Sequence, residues 1–178
     1  MKTTMAVLAI ALLCGAMAGA QTPQPYAGMQ DRPVKALSEQ QIADLKAGRG
    51  MGLALAAELN GYPGPVHVLE LAAALALSDE QRARVAGLFD SMKREAVPLG
   101  ERLIAAEAAL DRQFADKTIT ASSLGEATRD IASVQGELRL AHLKYHLATL
   151  ELLTPEQATR YSTLRGYGGG QHTPGHHR

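Results

Sequence analysis

Two histidines, His142 and His146, stand four residues apart in a segment whose composition favours a helix. At that spacing both rings lie on one helical face and can bind the same ion. His67, followed one turn later by Glu70, can complete the site if its own segment packs beside the pair. Imidazole ligands with at most one carboxylate suit zinc, copper or nickel better than calcium or magnesium. These four residues therefore form a candidate metal site.

The same spacing is compatible with two half-buried polar side chains that each hydrogen-bond to a neighbour, because an HxxxH pair lacks the third ligand of a closed metal site. A second, weaker candidate is the tail, where three histidines can collect metal ions without folding. They are His172, His176 and His177. A solvated tail without a ligand fits that composition equally well. Met29, Met51 and Met92 are too far apart in the sequence to indicate a copper-binding methionine cluster.

Motifs of enzymes are missing from the sequence, which has no Gly-x-Ser-x-Gly, no phosphate-binding loop and no His-Glu-x-x-His. The single cysteine, Cys14, lies in the N-terminal apolar segment. Carboxylate pairs such as Glu107 and Asp111 are typical of solvated helix faces. We therefore expect a protein that is not an enzyme and requires no cofactor, with zinc, copper or nickel as the metals that its histidines suggest.

The elements that must position these residues are helices whose starts repeat one short motif. The motif is a Leu, a hydroxyl residue, two further positions and a Gln, which together form a capping box. Its copies are Leu37–Gln41, Leu77–Gln81 and Leu153–Gln157. The first copy predicts a helix of about residues 39–59. This helix is weakened by Gly48, Gly50 and Gly52, which indicate either close packing against a neighbouring helix or a break near Gly50. A strong turn then leads to a short helix of about residues 66–76 that carries His67.

The second copy opens a long helix of about residues 79–115, in which apolar residues recur in steps of three and four. A turn over 116–121, with Thr120 or Ser122 as the next cap, leads to another long helix with the same periodicity that ends at Leu152. Two such helices joined by a short turn form an antiparallel hairpin. We therefore predict an all-α fold, a long antiparallel helical hairpin with short flanking helices. The thin, Ala-rich seam of the hairpin favours a homodimer.

The N-terminus has the features of a signal peptide. Lys2 precedes the apolar stretch from Met5 to Leu13, and Ala18-Gly19-Ala20 supplies the small residues of a cleavage site. The apolar stretch is shorter than the roughly 20 residues that span a bilayer. We expect export to the periplasm with cleavage after Ala20. A lipoprotein anchored through Cys14 is the alternative, but the residue before that cysteine is larger than lipid attachment sites prefer.

These features divide the chain into four segments. They are a signal peptide (1–20), a disordered leader (21–36), a helical domain (37–165) and a disordered His- and Gly-rich tail (166–178). The whole chain has 18 basic and 18 acidic residues, and removal of the signal peptide takes away one lysine, so the mature charge is about −1. That charge gives no general attraction to nucleic acid, and we expect no nucleic-acid partner.

The signal peptide, the helical body and Leu153-Thr154-Pro155-Glu156-Gln157 after the hairpin resemble the Spy/CpxP family of periplasmic proteins, which is named for its LTXXQ motif. The resemblance covers about residues 66–165, and Leu77-Ser78-Asp79-Glu80-Gln81 matches the first copy of the family motif. It implies a dimeric cradle that binds unfolded envelope proteins without ATP. In the related branch of heavy-metal sensors and resistance proteins, it implies a transition metal bound by His, Glu and sometimes Met of the hairpin and the preceding helix.

The resemblance thus leads first to an ATP-independent chaperone or envelope-stress protein, and alternatively to a periplasmic metal sensor or buffer. A third expectation is a helical adaptor that docks on a membrane-bound signalling protein. This sequence departs from the chaperones of the family in one respect, because their concave face is basic whereas the mature charge here is about −1. The histidine spacing is the feature that favours the metal-binding alternative.

Overall fold

The computed structural model describes residues 24–167, which form six helices and no β-strand. The helices are α1 (Glu39–Lys46), α2 (Leu55–Glu58), α3 (Pro65–Glu70), α4 (Asp79–Ala115), α5 (Ala121–Leu150) and α6 (Pro155–Leu164). The two long helices, α4 and α5, pack against each other and confirm the predicted hairpin. In this part of the chain, no helix is both long enough and apolar enough to cross a membrane.

Capping boxes start four of these helices, three of them at the predicted sequence motifs. The hydroxyls of Ser38, Ser78 and Thr154 accept the backbone N–H of the glutamine three residues later, at 3.1–3.2 Å. Each glutamine side chain accepts the backbone N–H of its own cap in return. Thr120, rather than Ser122, caps α5 and pairs with Ser123 in the same way. These bonds satisfy N–H groups that an uncapped first turn would leave without partners.

The glutamines of the second and third motifs also bind each other. Gln81 Nε2 donates to Gln157 Oε1 and to Leu152 O, both at 2.8 Å. Gln157 Nε2 donates to Gln81 Oε1 at 3.1 Å and to Leu75 O at 3.3 Å. The motif therefore has a second role beyond helix initiation, because this amide pair fixes the start of α6 against the start of α4.

Two apolar clusters hold the helices together. One joins α1 to the middle of the hairpin and includes Leu45, Ala96 and Val134. The other joins α3 and α6 to the start of α4 and includes Val68 and Tyr161, both without exposed surface. The other buried members of the first cluster are Val34, Leu37, Leu103, Ile131 and Leu138. Those of the second cluster are Ala72, Leu75, Leu77 and Val85.

The predicted helix of residues 39–59 is broken, which decides between the two roles considered for its glycines. α1 ends at Lys46, and α2 begins only at Leu55. Between them Gly48, Met51 and Gly52 have φ values of 64°, 45° and 82°. Such left-handed conformations cannot continue a right-handed helix, and glycine adopts them at little cost. The segment 47–54 is therefore a loop, and it lies beside the hairpin.

Part of the segment predicted as a leader also lies against the hairpin. Val34 of that segment is buried in the first cluster, together with Leu37 directly after the segment. The backbone N–H of Lys35 donates to Asp111 Oδ2 at 3.2 Å, near the far end of α4. Asp111 in turn contributes, after burial, to the raised pKa of Glu107. The Glu107 and Asp111 pair is thus part of a packed surface where the chain enters the domain.

Candidate metal-binding site

A cavity of about 620 Å³ lies between the loop 47–54, the short helices α2 and α3, and the middle of the hairpin. All four residues predicted as helical metal ligands line it, namely His67, Glu70, His142 and His146. The pair on α5 reaches the cavity because both residues face away from solvent, at 2% and 7% exposure. The short helix α3 thus places His67 at the same cavity as the pair on α5.

His142 is the most buried of these ligands. Its Nε2 atom is enclosed and makes no hydrogen bond with the protein. Burial, followed by the nearby His146, lowers the pKa of the His142 imidazole. The ring is therefore neutral at neutral pH, and one of its nitrogens carries a free lone pair. The loop passes directly over the ring at Gly50, where an added Cβ would lie 3.5 Å from His142 Nδ1.

His146 has its other nitrogen available. Its Nδ1 lies 2.7 Å from the carbonyl oxygen of Tyr62. A carbonyl can only accept, so Nδ1 carries the hydrogen and Nε2 keeps its lone pair. That Nε2 faces Gly64, where an added Cβ would lie 3.1 Å away and only 2.9 Å from His146 Cε1. The turn before α3 thus sets the tautomer of this ring and packs against it.

His67 and Glu70 approach from α3, and they differ in how far they enter the cavity. His67 is about one-third exposed, and its Nδ1 is enclosed without a hydrogen bond. Glu70 is exposed and lies at the edge. The nearest carboxylate to His67 belongs to another residue, since Glu58 Oε1 lies 3.4 Å from His67 Nδ1. Glu58, and not Glu70, is therefore the carboxylate that lies beside His67 in the cavity.

Glu58, at the end of α2, was not found by sequence reasoning. Its side chain is 7% exposed and lies at the inner wall of the cavity. Oε2 accepts the backbone N–H of Gly64 at 3.1 Å and lies 3.7 Å from His146 Nδ1. Oε1 accepts the hydroxyl hydrogen of Tyr161. A four-residue helix has no periodicity that could reveal which of its faces is buried, so the sequence contains no local signal for this residue.

Two methionines also reach the cavity. Met51 lies in the loop, Met92 is buried on α4, and both contribute to the lining. Their separation in the sequence had argued against a common site, but the loop and the hairpin bring them to one cavity. Met29 does not line it. Thioether sulfur prefers soft ions such as Cu(I), so the lining contains soft donors beside the imidazoles.

The donor atoms are not yet arranged around a single point. Among residues 24–167, no three side chains of His, Cys, Asp or Glu are close enough to hold one metal ion as they stand. The donor types fit zinc, copper or nickel. Metal binding in this cavity therefore requires side-chain movement, which the Gly-rich loop and the open space of the cavity permit. The tail histidines His172, His176 and His177, and Cys14 with the predicted signal peptide, lie outside the described residues.

Comparison with known proteins adds no identification. No family model, no curated protein and no solved structure matches the chain significantly. The functional conclusion therefore depends on the geometry of this cavity.

Proposed function

We propose that this protein binds a transition-metal ion in the bacterial envelope, as a periplasmic sensor or buffer, through His142, His146 and His67. The observation that supports it most is the Nε2 atom of His142, which is buried beside the cavity without any hydrogen bond. An unsatisfied buried polar atom costs about 1–3 kcal/mol. A metal bound to that lone pair would offset the cost.

The other ligands have complementary roles in this proposal. His146 offers Nε2, because Tyr62 holds the hydrogen on its Nδ1. His67 offers the enclosed Nδ1. Glu58 supplies the carboxylate that neutralises part of the ion's charge, in place of the more exposed Glu70. Three imidazoles and one carboxylate match the ligands of zinc sites and also suit copper and nickel.

Calorimetric titration of the full chain with zinc, copper and nickel tests this proposal. We expect one ion per chain in the cavity. His142→Asn should reduce affinity by at least tenfold, because loss of one ligand in three opens the site. The matched control replaces the tail histidines His172, His176 and His177 by glutamine in the same chain. Unchanged affinity in His142→Asn, together with loss of binding in the tail variant, would place the metal on the tail and refute the proposal.

A second candidate function is ATP-independent binding of unfolded envelope proteins, and an exposed apolar strip on α5 favours it. Leu140 and Leu147 are 62% and 54% exposed. They stand seven residues apart and therefore lie on one face of the helix. A single exposed leucine is ordinary, but two on one face offer apolar surface to a client segment.

Light scattering of a denatured client protein tests this second function. The wild-type protein should suppress aggregation equally with and without ATP. A double variant, Leu140→Gln with Leu147→Gln, should lose most of the effect. The matched control is Leu164→Gln on α6, whose side chain is 45% exposed but lies on another helix. Equal suppression by both variants would show that the α5 strip does not hold the client.

A further inference from the structure

The carboxylate of Glu58 contacts two parts of the molecule, the histidines of the cavity and the end of α6. On one side it faces the histidines of the cavity, with His67 Nδ1 at 3.4 Å and His146 Nδ1 at 3.7 Å. On the other side it faces the end of α6, where Tyr161 donates a hydrogen bond to Oε1. The candidate metal site and the end of α6 thus share one oxygen atom, Oε1, which lies beside both His67 and Tyr161.

Three side chains in the last turn of α6 or just after it contact this carboxylate. The Tyr161 side chain has no exposed surface, and burial raises the pKa of its hydroxyl, which therefore remains a hydrogen-bond donor. The hydroxyl of Tyr167 donates to Oε1 at 3.3 Å, and Arg165 Nε lies 3.7 Å from the same oxygen. Glu58 is therefore the anchor for the last turn of α6 and the residues that follow it.

The first turn of α6 has a separate anchor. Its capping residue Thr154 and the paired amides of Gln157 and Gln81 fix it to the start of α4. None of these groups lines the cavity. The two ends of α6 can consequently respond differently to an event at Glu58.

A carboxylate oxygen has two lone pairs. Oε1 already accepts the hydroxyl hydrogens of Tyr161 and Tyr167, and Oε2 accepts the N–H of Gly64. An ion that binds Oε1 together with the neighbouring His67 must displace at least one of the two tyrosine hydroxyls. At Oε1, the metal and the end of α6 therefore compete for the same acceptor.

We infer that metal binding to Glu58 Oε1 releases the last turn of α6 and the segment up to Tyr167, so that this end of the domain reports the occupancy of the site. This inference depends on the proposed metal-binding function. The coupling is reciprocal, because two events that compete for one group must weaken each other by the same factor. A change that removes the tyrosine hydroxyl should therefore strengthen metal binding.

Zinc titration of Tyr161→Phe measures this reciprocity. The variant keeps the packed ring and loses only the donor, so zinc affinity should rise by about tenfold, the equivalent of one hydrogen bond to a charged group. The matched control is Tyr145→Phe, which removes a tyrosine hydroxyl that donates to another carboxylate, Glu95, at 2.6 Å. Neither Tyr145 nor Glu95 lines the cavity, and zinc affinity should not change in that variant.

Hydrogen exchange of the wild-type chain tests the same inference without any substitution. On addition of zinc, amides of residues 161–167 should exchange at least tenfold faster, while those of 155–158 keep their rates. If zinc binds but exchange at 161–167 is unchanged, or if zinc affinity is unchanged in Tyr161→Phe, the inference is overturned, whereas the proposed metal site is not. If the wild-type chain binds no zinc, the proposed function fails first and the inference fails with it.

Discussion

Gly100 on α4 provides a quantitative test of how the site is positioned. The backbone of α1 crosses α4 at this residue, and a Cβ added to Gly100 would lie 2.5 Å from Leu45 O and 2.9 Å from Leu45 C. Because these are backbone atoms, they cannot move away as a flexible side chain would. The crossing sets where α1 ends, and hence where the loop 47–54 lies over the cavity.

Gly100→Ala should therefore destabilise the protein even though alanine is the better helix former. Overpacking costs about 1–3 kcal/mol, and a backbone contact this short places the substitution near the upper end. The gain in helix propensity is about 1 kcal/mol. We expect a net loss of about 2 kcal/mol in the free energy of unfolding.

Urea unfolding followed by circular dichroism measures this value. The chain supplies matched controls, since Gly87 on α4 and Gly136 on α5 have no atom within 4 Å of an added Cβ. The same substitution at either position should stabilise the protein by about 0.5–1 kcal/mol. If Gly100→Ala stabilises the protein as the controls do, α1 does not cross α4 at Gly100, and the placement of the loop over His142 is wrong.

Two further predictions concern the histidines. Gly64→Ala should weaken zinc binding, because the added Cβ would lie 2.9 Å from His146 Cε1 and displace that ring, while the extended backbone at Gly64 accepts alanine without strain. Calorimetric titration measures the change, and an unaltered zinc affinity would mean that His146 is not a ligand. Without metal, stability should fall as pH drops below about 6.5, because the lowered pKa of His142 makes the native state bind fewer protons than the unfolded chain. Urea unfolding at pH 7.5 and 5.5 tests this second prediction, and an equally steep loss in His142→Asn would contradict it.

Much of the fold was predictable because its signals are local and long. The steps of three and four over α4 and α5 extend for many turns, and each capping box fixes a helix start within one residue. The structure of segment 39–59 was harder to predict, since Gly48, Gly50 and Gly52 fit either a close contact between helices or a break in the helix. Only the left-handed conformations in the structure decide for the break. The second role of the motif glutamines was not predictable, because Gln81 and Gln157 meet through tertiary contact.

The candidate site was partly predictable for the same reason. The spacing of His142 and His146 is a local property of one helix, and it predicted a shared face. His67 was expected beside them, and the structure places it on the same cavity. Glu58 was missed because its interior contacts include residues far away in the sequence, such as Tyr161, which is separated from it by 103 positions. A carboxylate whose interior position depends on tertiary contacts of this kind leaves no pattern in its own segment.

The central claim is that a metal ion binds inside the cavity on the histidines of α5. The most direct measurement is a crystal structure of the full chain with zinc, with anomalous scattering recorded at the zinc edge. We predict one anomalous peak about 2.0–2.1 Å from both His142 Nε2 and His146 Nε2. A zinc peak only elsewhere on the chain, with the cavity and both Nε2 atoms free of metal, would contradict the account.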